Sequence, residues 1–98
     1  MSILHLVNKS PYDGCNLDSA TSIMKDGDTL LLIEDGVYGA IKTGKAASLL
    51  AGRTVSVLGP DLAARGISKD KLVDGVNVVD YAGFVDMVEA NDNVQSWL

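Results

Sequence analysis

Asp26-Gly27-Asp28-Thr29-Leu30-Leu31-Leu32-Ile33-Glu34-Asp35-Gly36 is the stretch that decides the fold. From Leu30 to Ile33 every position is apolar, with no alternation. That is the pattern of a strand buried on both faces of a parallel sheet. Asp-Gly-Asp before it and Glu-Asp-Gly after it are strong turn signals, so the run is a strand and not a piece of a longer helix. Three more short apolar runs, 3–7, 54–58 and 76–79, recur at intervals too long for hairpins.

Helix-length segments fill the intervals. Leu17, Ala20, Ile23 and Met24 fall at helical spacing behind Asn16, which reads as an N-cap. The stretch 37–50 reads as one or two short helices interrupted around Thr43-Gly44. Asp61 to Gly66 predicts a turn or two of helix, with Pro60 ahead of it and Gly66 as a left-handed stop. Tyr81, Phe84, Val85 and Val88 stand at i, i+3, i+4 and i+7, an amphipathic stripe of the kind helices turn toward a core. This alternation predicts an α/β fold. The expected architecture is a small three-layer sandwich, a largely parallel four- to five-stranded sheet with helices on both faces, spanning residues 1–98 as one domain.

Composition narrows the function. Hydrophobic residues make up 47% with one Trp and one Phe, so the core is aliphatic. No apolar run approaches the roughly 20 residues that span a bilayer, and the N-terminal segment lacks the pattern of a signal peptide. One cysteine excludes an internal disulfide and fits a reducing compartment. Net charge is −5, and after Lys71 there is no basic residue while Asp74, Asp80, Asp86, Glu89 and Asp92 follow. Phosphate contacts need clustered Lys or Arg, which argues against direct binding of nucleic acid. The acidic end is either a solvated face or a surface that meets a more basic partner.

The chemical inventory is thin. Cys15 sits in Ser10-Pro11-Tyr12-Asp13-Gly14-Cys15-Asn16, directly after the first strand and directly before the first helix. The carboxyl end of a strand is where open α/β sheets place their chemistry, and a helix N-terminus favours the reactive thiolate. Cys15 is therefore the catalytic candidate, as a persulfide carrier or nucleophile, against the alternative of a small residue without chemistry. His5, the one histidine, lies inside the first strand and reads as a structural imidazole. One His and one Cys give no zinc site, and neither a metal nor a cofactor is expected. Asn8-Lys9-Ser10-Pro11 and Gly59-Pro60-Asp61 follow strands and offer polar groups to an anion, but neither is a P-loop. The turn carboxylates Asp26, Asp28, Glu34 and Asp35 are expected to be solvated. Trp97 and Leu98 end the chain with two large apolar residues, which predicts docking onto the domain's own sheet or onto another subunit.

Four segments in order carry a resemblance. They are Leu4-His5 with Asn8-Lys9-Ser10-Pro11, then Leu31-Leu32-Ile33-Glu34-Asp35-Gly36-Val37, then Leu58 to Gly66, then Val79-Asp80-Tyr81 with Phe84-Val85 and the terminal Trp97. Together, over essentially the whole chain, they resemble the DsrH/TusB family of sulfur-relay proteins, with Val78 to Asp86 closer to the DsrH branch. The resemblance implies the DsrE/DsrF-like fold and an accessory subunit of a cytoplasmic sulfurtransferase complex. It implies DsrE/TusD-like and DsrF/TusC-like partner subunits and transfer of persulfide sulfur to a DsrC/TusE-like acceptor. The outcome in the family is 2-thiolation of the tRNA wobble uridine or oxidation of stored sulfur. The principal sulfur-carrying cysteine belongs to the DsrE/TusD-like partner. Some DsrH chains carry a cysteine on the first helix, at the position of Ala20 here, so the resemblance assigns Cys15 no role. The competing expectations are a carrier using Cys15 and a stand-alone small-molecule or anion-binding module. When isolated, the chain is expected to self-associate through an exposed apolar patch.

Overall fold

The computed structural model describes residues 2–97. The four apolar runs form β1 (Ile3–Val7), β2 (Thr29–Leu32), β3 (Thr54–Leu58) and β4 (Asn77–Val79), and a further strand, β5, covers Asn93–Trp97. The helices are α1 (Asn16–Ile23), α2 (Gly59–Ala64) and α3 (Tyr81–Ala90), with 3-10 helices at Glu34–Ala40, Lys45–Leu50 and Lys69–Lys71. All neighbouring strands are parallel, in the order β4-β3-β2-β1-β5.

That order dictates where the helices go. From β1 to β4 each strand is laid beside the previous one, whereas the connection from β4 to β5 runs back across the whole sheet. Crossovers between parallel strands are right-handed, so the first three connections lie on one face and α3 lies on the other. The expected sandwich with a parallel sheet and helices on both faces is what forms. Its layers are unequal: one face carries α1, α2 and the 3-10 helices, and the other carries α3.

Burial follows the pleat. Val7, Leu30, Leu32, Val55 and Val57 point to the heavily covered face and join Leu17, Ala20, Val37, Ala40, Leu50 and Leu62 in one cluster. Leu4, Leu31 and Leu58, on the alternate positions, are buried outside that cluster, toward α3. Leu30 to Leu32 of β2 are apolar without alternation because both faces of the strand are covered there.

Several local expectations change. Asn16 is not the N-cap of α1. Cys15 occupies that position, without a side-chain cap, because the Asn16 amide is used elsewhere. The segment 37–50 forms two 3-10 helices, with the break at 41–44 close to the Thr43-Gly44 interruption. Gly66 adopts φ +67 and ends α2 as expected. The end of the chain, read from sequence only as a docked terminus, is an edge strand pairing with β1 from Ile3↔Asn93 to Val7↔Trp97.

Gly36 marks the tightest approach of the fold. A Cβ there would fall on the carbonyl oxygen of Val7, which already accepts the Ile33 N–H at 3.0 Å. The backbone after β2 crosses directly over the end of β1, and only glycine leaves room. Gly36→Ala is expected to destabilise the protein by about 1–3 kcal/mol, the range for overpacking a close contact. Urea unfolding of the variant checks this, and an unchanged midpoint would contradict it.

Candidate functional site

Two places hold the residues with chemistry, linked through Asn16, which follows Cys15 and donates to the Trp97 carbonyl. The first is the loop 8–15 at the carboxyl end of β1. Tyr12 lies across Gly44, and its hydroxyl accepts the Ala46 N–H at 3.5 Å, which holds the loop to the second 3-10 helix. Between them is an open cleft of about 310 Å³ lined by Pro11, Tyr12, Gly14, Asp18, Lys45 and Leu49. Cys15 follows this loop as an exposed free thiol. The acidic neighbours Asp13 and Asp18 share its loop and helix turn.

The second place is the opposite end of β1, and sequence reasoning missed half of it. Asp28 was expected to be solvated like its turn neighbour Asp26, yet it is buried. Lys25-Asp26-Gly27-Asp28 is a reverse turn with Asp28 N–H donating to Lys25 C=O at 3.0 Å and Gly27 at φ +93. The turn folds the carboxylate inward. There it accepts the N–H of Ile3 at 3.0 Å, the N–H of Lys25 at 3.1 Å and the His5 Nε2 at 3.1 Å. Burial alone pushes the Asp28 carboxyl up; the Lys25 N–H, the His5 ring and the Ile3 N–H outweigh it and hold the group below its ordinary value.

His5 is the structural imidazole expected, with both ring nitrogens engaged. Its Nδ1 accepts the indole N–H of Trp97 at 3.1 Å, and the two rings lie 6.2 Å apart at 26°. An indole N–H can only donate, so Nδ1 carries a lone pair and the proton is on Nε2, facing Asp28. The contact with Asp28 is thus a hydrogen bond from a neutral ring. Trp97 is fixed a second time by Asn16, whose Nδ2 donates to the Trp97 carbonyl at 3.1 Å. Trp97 is half-buried against the main core, on the face that its register opposite Val7 assigns to it. Leu98 lies outside the described residues.

These contacts settle what the groups can do. The imidazole is buried and committed, so it is no general base for Cys15. Among the described residues no cluster of three His, Cys, Asp or Glu side chains is arranged to hold a metal, and no helix is long and apolar enough to cross a membrane. The arrangement defines a class: a parallel α/β sandwich with an exposed thiol beyond the carboxyl end of its first strand and a buried polar chain tying β1 to β5.

Comparison with known proteins gives the class a family. Residues 9–94 match the family model described as DsrH-like protein. The protein TusB of Photorhabdus laumondii is 32% identical over 97 residues, covering 97% of this chain and all of the relative. TusB of Sodalis glossinidius is equally similar over the same span. The chain belongs to the DsrH/TusB family, as the resemblance of its four segments implied. Among solved structures, the ychN protein from E. coli superposes with a TM-score of 0.81 over 98% of both chains at 20% identity, which shows the shared fold. Protein Tm0979 from Thermotoga maritima matches with a TM-score of 0.70 and 26% identity, over 92% of this chain and 93% of that one.

The sign of the Asp28 contribution follows from its depressed folded value. Ionised Asp28 stabilises the fold above the unfolded value, about 3.9 for an aspartate, and that stabilisation disappears as the pH falls through the lower folded value. Asp28→Asn keeps the shape but turns an acceptor into a donor facing donors. It is expected to lower stability at pH 7 by about 1–3 kcal/mol and to flatten the loss of stability as the pH falls through the ordinary aspartate range and below. Denaturant unfolding across that range, followed by circular dichroism, checks it. Parallel pH profiles for variant and wild type would exclude Asp28 as the group responsible.

Proposed function

We propose that the chain is a non-catalytic, structural subunit of a cytoplasmic sulfur-relay complex, assembled with DsrE/TusD-like and DsrF/TusC-like subunits. Those partners carry the persulfide and deliver its sulfur to a DsrC/TusE-like acceptor. The TusB relatives favour the branch whose sulfur reaches the tRNA wobble uridine. The observation that supports a non-catalytic role is the fate of the one histidine. It is enclosed between Asp28 and Trp97, which leaves the one thiol without a base. Contact with tRNA falls to other members of the relay, because a net charge of −5 opposes binding of a polyanion by this chain alone.

The exposure of Cys15 at the carboxyl end of a parallel sheet favours one second reading, a carrier role. In that case the Cys15 thiolate attacks the outer sulfur of a donor persulfide. A new S–S bond forms at Cys15 as the donor's S–S bond breaks, and the donor leaves as a thiolate. No oxidant is required.

The two readings separate in one reconstitution. The chain is combined with its DsrE-like and DsrF-like partners, and sulfur transfer to the acceptor is followed by intact mass. Cys15→Ala is expected to assemble and to transfer at the wild-type rate. Loss of transfer with assembly intact would replace the structural reading with the carrier.

A further inference from the structure

The amphipathic stripe of α3 does not do what its pattern predicts. Of Tyr81, Phe84, Val85 and Val88, only Phe84 turns into the protein, half-buried along with Met87. Tyr81 is 61% exposed, Val85 55% and Val88 38%. No residue of α3 is fully buried. These three lie at i, i+4 and i+7 and form one continuous line along the helix. Val94 of β5 is 42% exposed, and its register opposite Leu4 places it on the same face of the sheet. Four of the six large apolar side chains that the described residues expose belong to this one unit, residues 81–94.

The charge that α3 and β5 themselves carry has one sign, the nearest cation being Lys69, which shares a cleft with Asp80 and Gly83 at the start of the helix. Asp86 and Glu89 stand on the solvent side of α3, with Glu89 one turn beyond Val85. Asp80 caps the helix by accepting the Gly83 N–H at 2.8 Å, and Asp92 accepts the Ser2 N–H at 2.9 Å. Among the described residues neither Asp86 nor Glu89 is in an ion pair. Residues 72–98 contain no Lys or Arg to answer them. A second copy docked isologously on this face would set carboxylates against carboxylates, which costs association energy.

The geometry points to the α3–β5 face as the surface that receives a partner subunit. That partner presents an apolar ridge to Tyr81, Val85, Val88 and Val94, and Lys or Arg side chains to Asp86 and Glu89. The inference rests on the proposed subunit role and adds its location and the chemistry of the mating surface. Apolar side chains at the centre with charges around them match the anatomy of protein interfaces. The basic rim of the partner selects it over a second copy of this acidic chain.

The test measures association of the purified chain with the DsrE-like and DsrF-like subunits of its own source, by titration calorimetry at low and high salt. Val85→Asp with Val88→Asp is expected to weaken binding at least ~30-fold, the loss of one hot-spot side chain or more. Val85→Ser with Val88→Ser is a milder pair that keeps the result readable if the aspartates perturb folding. Asp86→Asn with Glu89→Gln is expected to weaken binding several-fold at low salt and to reduce the salt dependence. Ile23→Asp, an exposed apolar position on α1, is expected to leave binding unchanged. Undiminished binding by both valine pairs overturns the assignment of this surface but leaves the subunit role standing. A wild-type homodimer that the valine pairs dissociate overturns the choice of occupant. Failure of the wild-type chain to bind either subunit overturns the subunit role and the surface with it.

Discussion

One line of hydrogen bonds governs this molecule: Asp28 to His5 to Trp97. A buried carboxylate is stable only when donors satisfy it, and here the donors come from the starts of β1 and of the turn before β2. A buried imidazole needs one donor and one acceptor, and it finds the acceptor in Asp28 and the donor in Trp97. Each group answers the polar demand of the next, so none can be removed alone. The line links residues 92 positions apart and fixes the tautomer of the ring between them. The register of β5 on β1 and the placement of the turn at Gly27 are consequences of the same arrangement.

That interaction also explains what could and could not be read from sequence. β1 to β4 were legible as short apolar runs, most plainly Leu30 to Leu32, which has the pattern of a parallel strand buried on both faces. β5 was not, since Asn93-Val94-Gln95-Ser96-Trp97 is a half-exposed edge strand whose pattern resembles a polar tail. Asp28 was misjudged because Asp-Gly-Asp in a turn looks solvated. The inward rotation of its second carboxylate depends on a histidine 23 residues away. A buried single His does predict a partner in principle, but sequence does not say which of 13 acidic residues supplies it. The N-cap error at Asn16 has the same origin, a side chain recruited by a distant backbone carbonyl. Cys15 stood out by its position between strand and helix, but its exposure is legible only in the structure.

The two faces of the sheet are finished to different degrees. One is sealed by α1, α2 and the 3-10 helices into a core that includes the fully buried Val7, Leu30, Leu32 and Val57. The other relies on one ten-residue helix that buries none of its own residues completely. Such asymmetry suits a protein that completes itself within an assembly, where a neighbour shields what the chain leaves open. It also separates duties within a small fold. The sealed face gives stability, the carboxyl edge presents the loop with Cys15, and the thin face is available for contact.

The topology has a consequence for synthesis on the ribosome. β1 is made first, but its outer neighbour β5 begins about ninety residues later. At translation rates of roughly 5–20 residues per second, the edge of β1 waits on the order of 5–18 s for its partner. During that interval His5 lacks the indole that will complete it, and an apolar strand offers an open row of backbone donors and acceptors. Such an edge is the ordinary template for unwanted pairing. The nascent chain therefore passes through a state with its first strand unguarded, and closure of that edge is deferred until β5 is made.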